Sequence, residues 1–359
     1  MDTSVITQTP VLCGPFVRRV EKDSAFIWLV TSQPVTLGFN LKLDDQTSLD
    51  THVEQEQIQL GHTCFVHQAK ITPIQGHWPM AQHLGFELSL DDKPISLDHL
   101  CLNAHSRPGF IVNEQVKSVI QGSCRKPDHP SRDAFTGVLG HLEQGLESRP
   151  DFLLMAGDQV YVDDVAGPML VAIQTLSEKL GLFNANHENG MIGKTKLAWQ
   201  NSLNGRKALL PKKTDQNAWQ RFWYGPDIIS SRYHDNHLIA LDEMFACYLL
   251  TWSSLSWQFV LDEVKQAAEQ LSGEARHWYD KELKTLMQFA SDLPAFEKVL
   301  ANTPTLMIFD DHDVTDDWNL SADWEEHVYN NDTTKHMIRD AMPAYTVFQG
   351  RGNHPKRMR

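Results

Sequence analysis

The chain has 359 residues, 41% hydrophobic and 22% charged, which is the balance of a soluble globular protein with room for two domains. A formal net charge of −14 argues against nucleic acid or an anionic membrane as a general partner. No apolar run approaches the roughly 18 residues of a membrane span. The five cysteines (Cys13, Cys64, Cys101, Cys124 and Cys247) are scattered without CxxC spacing, against a disulfide framework or a zinc ribbon. The opening MDTSVITQTPVLCGPFVRRV lacks the charged start and apolar core of a signal peptide, and the polar VEKDSAF after Arg18-Arg19 does not suit twin-arginine export. The expected location is cytoplasmic.

Residues 10 to about 105 read as short strands. SAFIWLV (Ser24 to Val30), VTLGFNLKL (Val35 to Leu43), CFVHQAKI (Cys64 to Ile71) and HLGFELSL (His83 to Leu90) are separated by polar, Pro- and Gly-containing turns. That pattern predicts a small antiparallel sandwich or barrel, with no concentration of catalytic residue types. From about Val116 the period changes. VKSVIQGSC is a short strand ending at Cys124, and RDAFTGVLGHLEQGLES places Phe135, Val138, Leu139, Leu142 and Leu146 on one helical face. PDFLLMAGD is an almost wholly apolar strand of the kind buried on both faces of a parallel sheet. Strand, helix and strand with short links predict a right-handed crossover. The stretch from about 170 to 235 has weak periodicity and reads as an insertion over the sheet. HLIALDEM (His237 to Met244) is a further apolar run. WQFVLDEVKQAAEQL and EARHWYDKELKTLMQFASDL have helical patterns, and TPTLMIFDD supplies the next strand. The expected division is a β domain over 1–110 and an α/β domain over 111–359.

The three strand runs of the second part end in possible metal ligands: Cys124 in GSC, Asp158 in GDQVYVDD, and Asp310 in FDDHDV. Ligands of open α/β sheets gather at the carboxyl ends of the strands, so these three ends should converge. DDHDVTDD (Asp310 to Asp317) holds five aspartates and one histidine, and carboxylates packed that closely repel unless cations neutralise them. Carboxylate, imidazole, thiolate and phenolate together suit a transition metal with a harder companion ion.

The segments GSCRKP, LLMAGDQVYVDD, TLMIFDDHDVTDDWN and AYTVFQGRGNHP resemble the successive motifs of PhoD-like phosphatases (the alkaline phosphatase D family), a branch of the calcineurin-like metallophosphoesterases. The N-terminal β segment resembles the small β domain that precedes the catalytic domain in that family. The resemblance implies a calcineurin-like α/β/β/α sandwich behind a β-sandwich domain, and hydrolysis of phosphate mono- or diesters by a metal-activated water. It implies iron (Fe3+) held by Cys124, Asp158 and Tyr161, with Asp158 bridging to calcium; other divalent cations are compatible. Asp310 matches the first acid of the family's DDHE motif and His312 its histidine, with Asp311 and Asp313 the remaining acids. His312 and Asp311 are therefore the catalytic candidates, and Arg125, beside Cys124, is the candidate phosphate contact.

The chain departs from the family pattern in two places. TDD stands where the family has ENN, so a metal-binding Asn becomes Asp317. The C-terminal Gly-Asp-x-His region that carries further ligands has no counterpart before Arg359, so the chain reads as the N-terminal part of a longer, incomplete or truncated protein. RGNHP (Arg351 to Pro355) imitates a metallophosphoesterase Gly-Asn-His but follows a helical pattern. The expected partner is a phosphate-ester small molecule or polymer. The alternatives are a catalytically inactive truncated homologue and a structural cation-binding module.

Overall fold

The computed structural model describes residues 4–184, 206, 210–213, 219, 227–229 and 236–354. The chain opens with β1 (Val11–Glu21), β2 (Ser24–Thr31), β3 (Leu37–Leu43), β4 (Ser48–Leu49), β5 (Thr51–Gly61), β6 (Cys64–Pro73), β7 (His83–Leu90), β8 (Lys93–Ile95) and β9 (Gly109–Ile111). They form two antiparallel sheets, β1-β2-β6-β5 and β4-β3-β7-β8, with β9 also paired to β7. Strand β2 is buried along its whole length because it lies between β1 and β6 and is covered on both faces. Its alternation divides two cores. Ala25, Ile27 and Leu29 face Leu41, Leu84 and Phe86 of the second sheet, which makes the sandwich. Trp28 and Val30 face the other way, into the helices of the rest of the chain. Strand β5 is largely polar and alternates exposed with half-buried residues up to Gln59, with Glu54 and Glu56 on a sheet edge, where charge discourages pairing with another chain.

The third sheet is parallel, in the order β10 (Val119–Gly122), β11 (Phe152–Ala156), β12 (Thr305–Ile308). Leu153, Met155 and Met307 turn to one face and join the core with Phe135, Phe289 and Phe296. The opposite face differs from expectation. Leu154 is 37% exposed, Val119 41% and Ile308 52%, so this sheet is buried on one face rather than on both. Alternation decides it: Val119 pairs with Phe152, and Leu154 lies on that same face of β11. The free edge of β12 is occupied by a side chain. Asn353 Oδ1 accepts from Met307 N at 2.9 Å, and its amide Nδ2 donates to Met307 O, as a neighbouring strand would. The RGNHP segment therefore begins as a sheet-edge plug.

The first sheet is built into this core. Arg18 is fully buried and donates to Thr305 O, Phe348 O and Gln349 O at 3.1, 2.7 and 2.8 Å. Gly352 leaves room for it, since a Cβ there would lie 2.2 Å from the guanidinium carbon. The Trp28 indole donates to Val347 O at 3.1 Å and packs 5.4 Å from both Trp252 and Phe348. The run from 167 is more regular than its sequence suggests: Gly167–Leu180 is a largely buried helix, stopped by Gly181 in the left-handed region at φ 58. Most of the remaining expected insertion, to 235, lies outside the described residues. HLIALDEM runs into the buried helix Leu241–Trp252. The two expected amphipathic segments are helices Leu261–Glu269 and Gly273–Asn302. No helix among the described residues is long and apolar enough to cross a membrane.

Candidate metal centre

The backbone beyond the three parallel strands stays stitched together. Gly157 N donates to Ile308 O at 2.9 Å, Cys124 N to Gly157 O at 3.2 Å, and Arg125 N to Asp158 O at 2.9 Å. The three strand ends therefore leave the sheet side by side. Cys124, Asp158 and Asp317 all sit in the left-handed region, at φ 59, 51 and 63. For non-glycine residues each such conformation costs about 1–3 kcal/mol, and strain of this kind clusters at functional sites. Gly157, at φ 99, permits the approach of the third strand end, because a Cβ there would lie 2.5 Å from Asp310 Cβ.

The side chains converge on Asp158. Its Oδ2 accepts from the Cys124 thiol at 3.2 Å and from the Tyr161 hydroxyl at 3.4 Å. Asp158, Asp311 and His312 each bring a ligand-type atom to within 4.8 Å of the others. Burial, reinforced by the Asp311 and Asp310 charges, raises the Asp158 pKa above the usual carboxylate range. Burial and the Asp158 and Cys124 charges likewise push the Tyr161 phenol up. At Cys124 a Ser123 hydrogen bond opposes the rise, but burial and Asp158 prevail. Three acidic groups hold their protons more tightly around one point, because burial and neighbouring negative charge both penalise their ionised forms.

A second shared position involves His312. Its Nδ1 lies 3.0 Å from both carboxylate oxygens of Asp163, which is fully buried and can only accept. Asp316 N donates to the same carboxylate at 3.1 Å. Burial alone would lower the His312 pKa; the Asp163 bond and charge outweigh it and carry the value to about 9. The imidazole also lies over Tyr161, ring centroids 4.6 Å apart. Asp313 points inward: it accepts from Asp310 N at 3.0 Å and Gln349 Nε2 at 2.8 Å, and burial first, then the Asp158 charge, push it up to about 7.

Cys124, Asp158, Tyr161, Asp311 and His312 are thus brought together, with Asp310 against Gly157. Asp317 sits at one remove, its backbone N donating to Asp311 Oδ2 at 3.0 Å. Among the described residues it is Asp316 that groups with Asp163 and His312 at ligand spacing. Arg125 is placed differently from expectation. Its guanidinium turns inward, 2.8 Å from Asp133, 2.6 Å from Thr251 O, and 3.9 Å over the Phe296 ring. That arrangement makes it a structural residue joining β10 to helix Gly273–Asn302. Lys126 is a cation beside the cluster, bonded to Asp164 and 5.9 Å from the Tyr161 ring. Sequence reading missed Asp163 and Asp164, although VDD follows the GDQVY motif directly.

The donor set fits metal ions. Asp158 Oδ1 is buried and has no hydrogen-bond partner among the described residues, beside a thiol, a phenol and an imidazole. A buried carboxylate oxygen without a partner costs about 1–3 kcal/mol, more when charged, and a cation removes that cost. No protein-family model matches the chain, and no curated protein matches it.

Proposed function

We propose that this chain is a metal-dependent phosphoesterase of the PhoD-like kind, hydrolysing phosphate mono- or diesters at a centre for iron and calcium. The observation that carries the reading is the partnerless buried oxygen of Asp158, set where three parallel strand ends meet. The finer fold assignment belongs to the same proposal: the parallel sheet, with one open apolar face, is one layer of an α/β/β/α sandwich.

Bound metal supplies Lewis-acid polarisation of the phosphoryl group and a water of lowered pKa. The chain's residues do the rest. Cys124 and Tyr161 would supply thiolate and phenolate, anionic donors suited to trivalent iron, each releasing its proton to solvent when the ion binds. Asp158 would hold iron with them and also contribute to calcium, with Asp310 and Asp317 as further metal-holding residues. Asp163 keeps His312 protonated and fixes its ring, so that Nε2–H donates to a phosphoryl oxygen or to the leaving alkoxide. Asp311 orients the loop by accepting from His312 N and Asp317 N, both at 3.0 Å.

The test is to load the purified chain with ferric iron and calcium. A tyrosinate-to-iron absorption band is expected, together with turnover of a chromogenic phosphodiester or monoester. Tyr161→Phe should abolish the band. His312→Ala should lower turnover by about 10²–10⁴-fold with metal content unchanged. A loaded protein with neither colour nor turnover overturns the proposal.

A further inference from the structure

A second cluster lies outside this centre, on the second antiparallel sheet. Asp44 follows β3 in the turn to β4, His83 opens β7, and His105 sits in the loop before β9. In sequence they are far apart: Asp44 is 39 residues from His83 and 61 from His105. Strand pairing brings them together, since β3 and β9 both pair with β7, the latter at His83 itself.

His83 Nδ1 lies 2.9 Å and His105 Nδ1 3.2 Å from the Asp44 carboxylate, and the three ligand atoms all fall within 4.8 Å of one another. The two rings stack, centroids 3.8 Å apart. Two imidazolium rings at that separation would repel, so a double salt bridge is a poor account of the contact. Burial first, then the nearby Arg149 charge, hold the His83 pKa down to about 4, which leaves that ring neutral.

The rings are held rigidly. A Cβ on Gly109 would lie 2.7 Å from His83 Nε2, so the imidazole rests on bare backbone there. The His105 loop is fixed by a bond from its N to Leu102 O at 2.9 Å. The Asp44 contact places the proton of the neutral His83 ring on Nδ1, and Nε2, which has no hydrogen-bond partner among the described residues, would carry it when Nδ1 ligates. The Asp44 side chain is 59% exposed and opens the group to solvent.

We propose that Asp44, His83 and His105 form a second metal site, taking a borderline divalent ion such as Zn2+ through two imidazole nitrogens and one carboxylate oxygen. Nitrogen donors with a single carboxylate favour zinc-like ions over calcium or magnesium, and three protein ligands leave a position for water. The ion clips the β3–β4 turn and the 101–108 loop to the end of β7. This site does not depend on the phosphoesterase reading, because it shares no residue with that centre.

The experiment uses the full chain carrying Asp158→Asn and His312→Ala, which removes a member from both ligand groups of the other centre so that uptake there does not mask it. Zn2+ is titrated calorimetrically, and Co2+ is added separately to read visible ligand-field bands. One equivalent of Zn2+ is expected to bind and raise Tm. Asp44→Asn and His105→Ala, each added to that background, should weaken binding at least tenfold and remove the Tm rise. The same comparison between the unaltered chain and Asp44→Asn, a loss of one equivalent, is independent of whether the double variant folds. Absence of Zn2+ uptake in the double variant, or unchanged uptake after Asp44→Asn and His105→Ala, overturns the proposal.

Discussion

Asp163 and His312, 149 residues apart, meet with the imidazole Nδ1 3.0 Å from both carboxylate oxygens. The consequence is a pH dependence with a definite sign. The folded pKa of about 9 lies above the unfolded value of about 6.5, so the contact's contribution to stability is complete below ~6.5. It is lost as pH rises through about 9. In metal-free protein, histidine NMR should find His312 titrating near 9, and Asp163→Asn should bring it to ~6.5 or below. A His312 that titrates near 6.5 in the unaltered protein would falsify the assignment.

Asp158→Asn tests the partnerless oxygen. With the charge gone, one oxygen must become an amide nitrogen, which cannot ligate. Iron and calcium content should fall to background, and the metal-dependent rise in Tm should vanish. If the variant still takes up both ions stoichiometrically, the buried oxygen is not the metal anchor.

Arg18 ties the antiparallel sandwich to the parallel sheet. Arg18→Met would strand the carbonyls of Thr305, Phe348 and Gln349 in the interior. Each unpaired buried group costs about 1–3 kcal/mol, so a loss of roughly 3 kcal/mol or more is expected in urea unfolding. Gly352→Ala should be damaging for the same reason, by crowding the guanidinium. Because Trp28, Trp252 and Phe348 form one aromatic cluster across both parts, fluorescence and circular dichroism should report one coincident transition. Two well-separated transitions would show that the parts are energetically independent.

The open face of the parallel sheet gives a prediction about solubility. Leu154→Gln with Ile308→Thr replaces two exposed apolar side chains on that face. Stability should change by only about 0.5 kcal/mol, as at other exposed sites, while light scattering falls because less apolar surface meets water. A loss above about 2 kcal/mol would mean that the face is covered.

The sequence by itself determined the local periods and the chemistry at the strand ends. Strand runs closed by Cys124, Asp158 and Asp310 had to place those ligands on one edge once the strands lay parallel. Helix Gly273–Asn302 and strands β2, β6 and β7 were legible because their side-chain periods match single elements. Strands β1 and β5 were not: β1 is interrupted by register shifts around Cys13 and Phe16, and β5 is a polar edge whose pairing comes only from β6. Tertiary structure alone decided the rest. Arg125 was drawn inward by Asp133, Phe289 and Phe296, and Phe289 and Phe296 lie on a helix far along the chain. Whether Leu154 is buried depended on what covers the other face of the sheet, which its own strand pattern does not encode. Asp44, His83 and His105 carry no motif in sequence and meet only through the register of β3, β7 and β9. Spacing reports neighbours within one element, whereas ligand geometry across elements is set by packing and strand register.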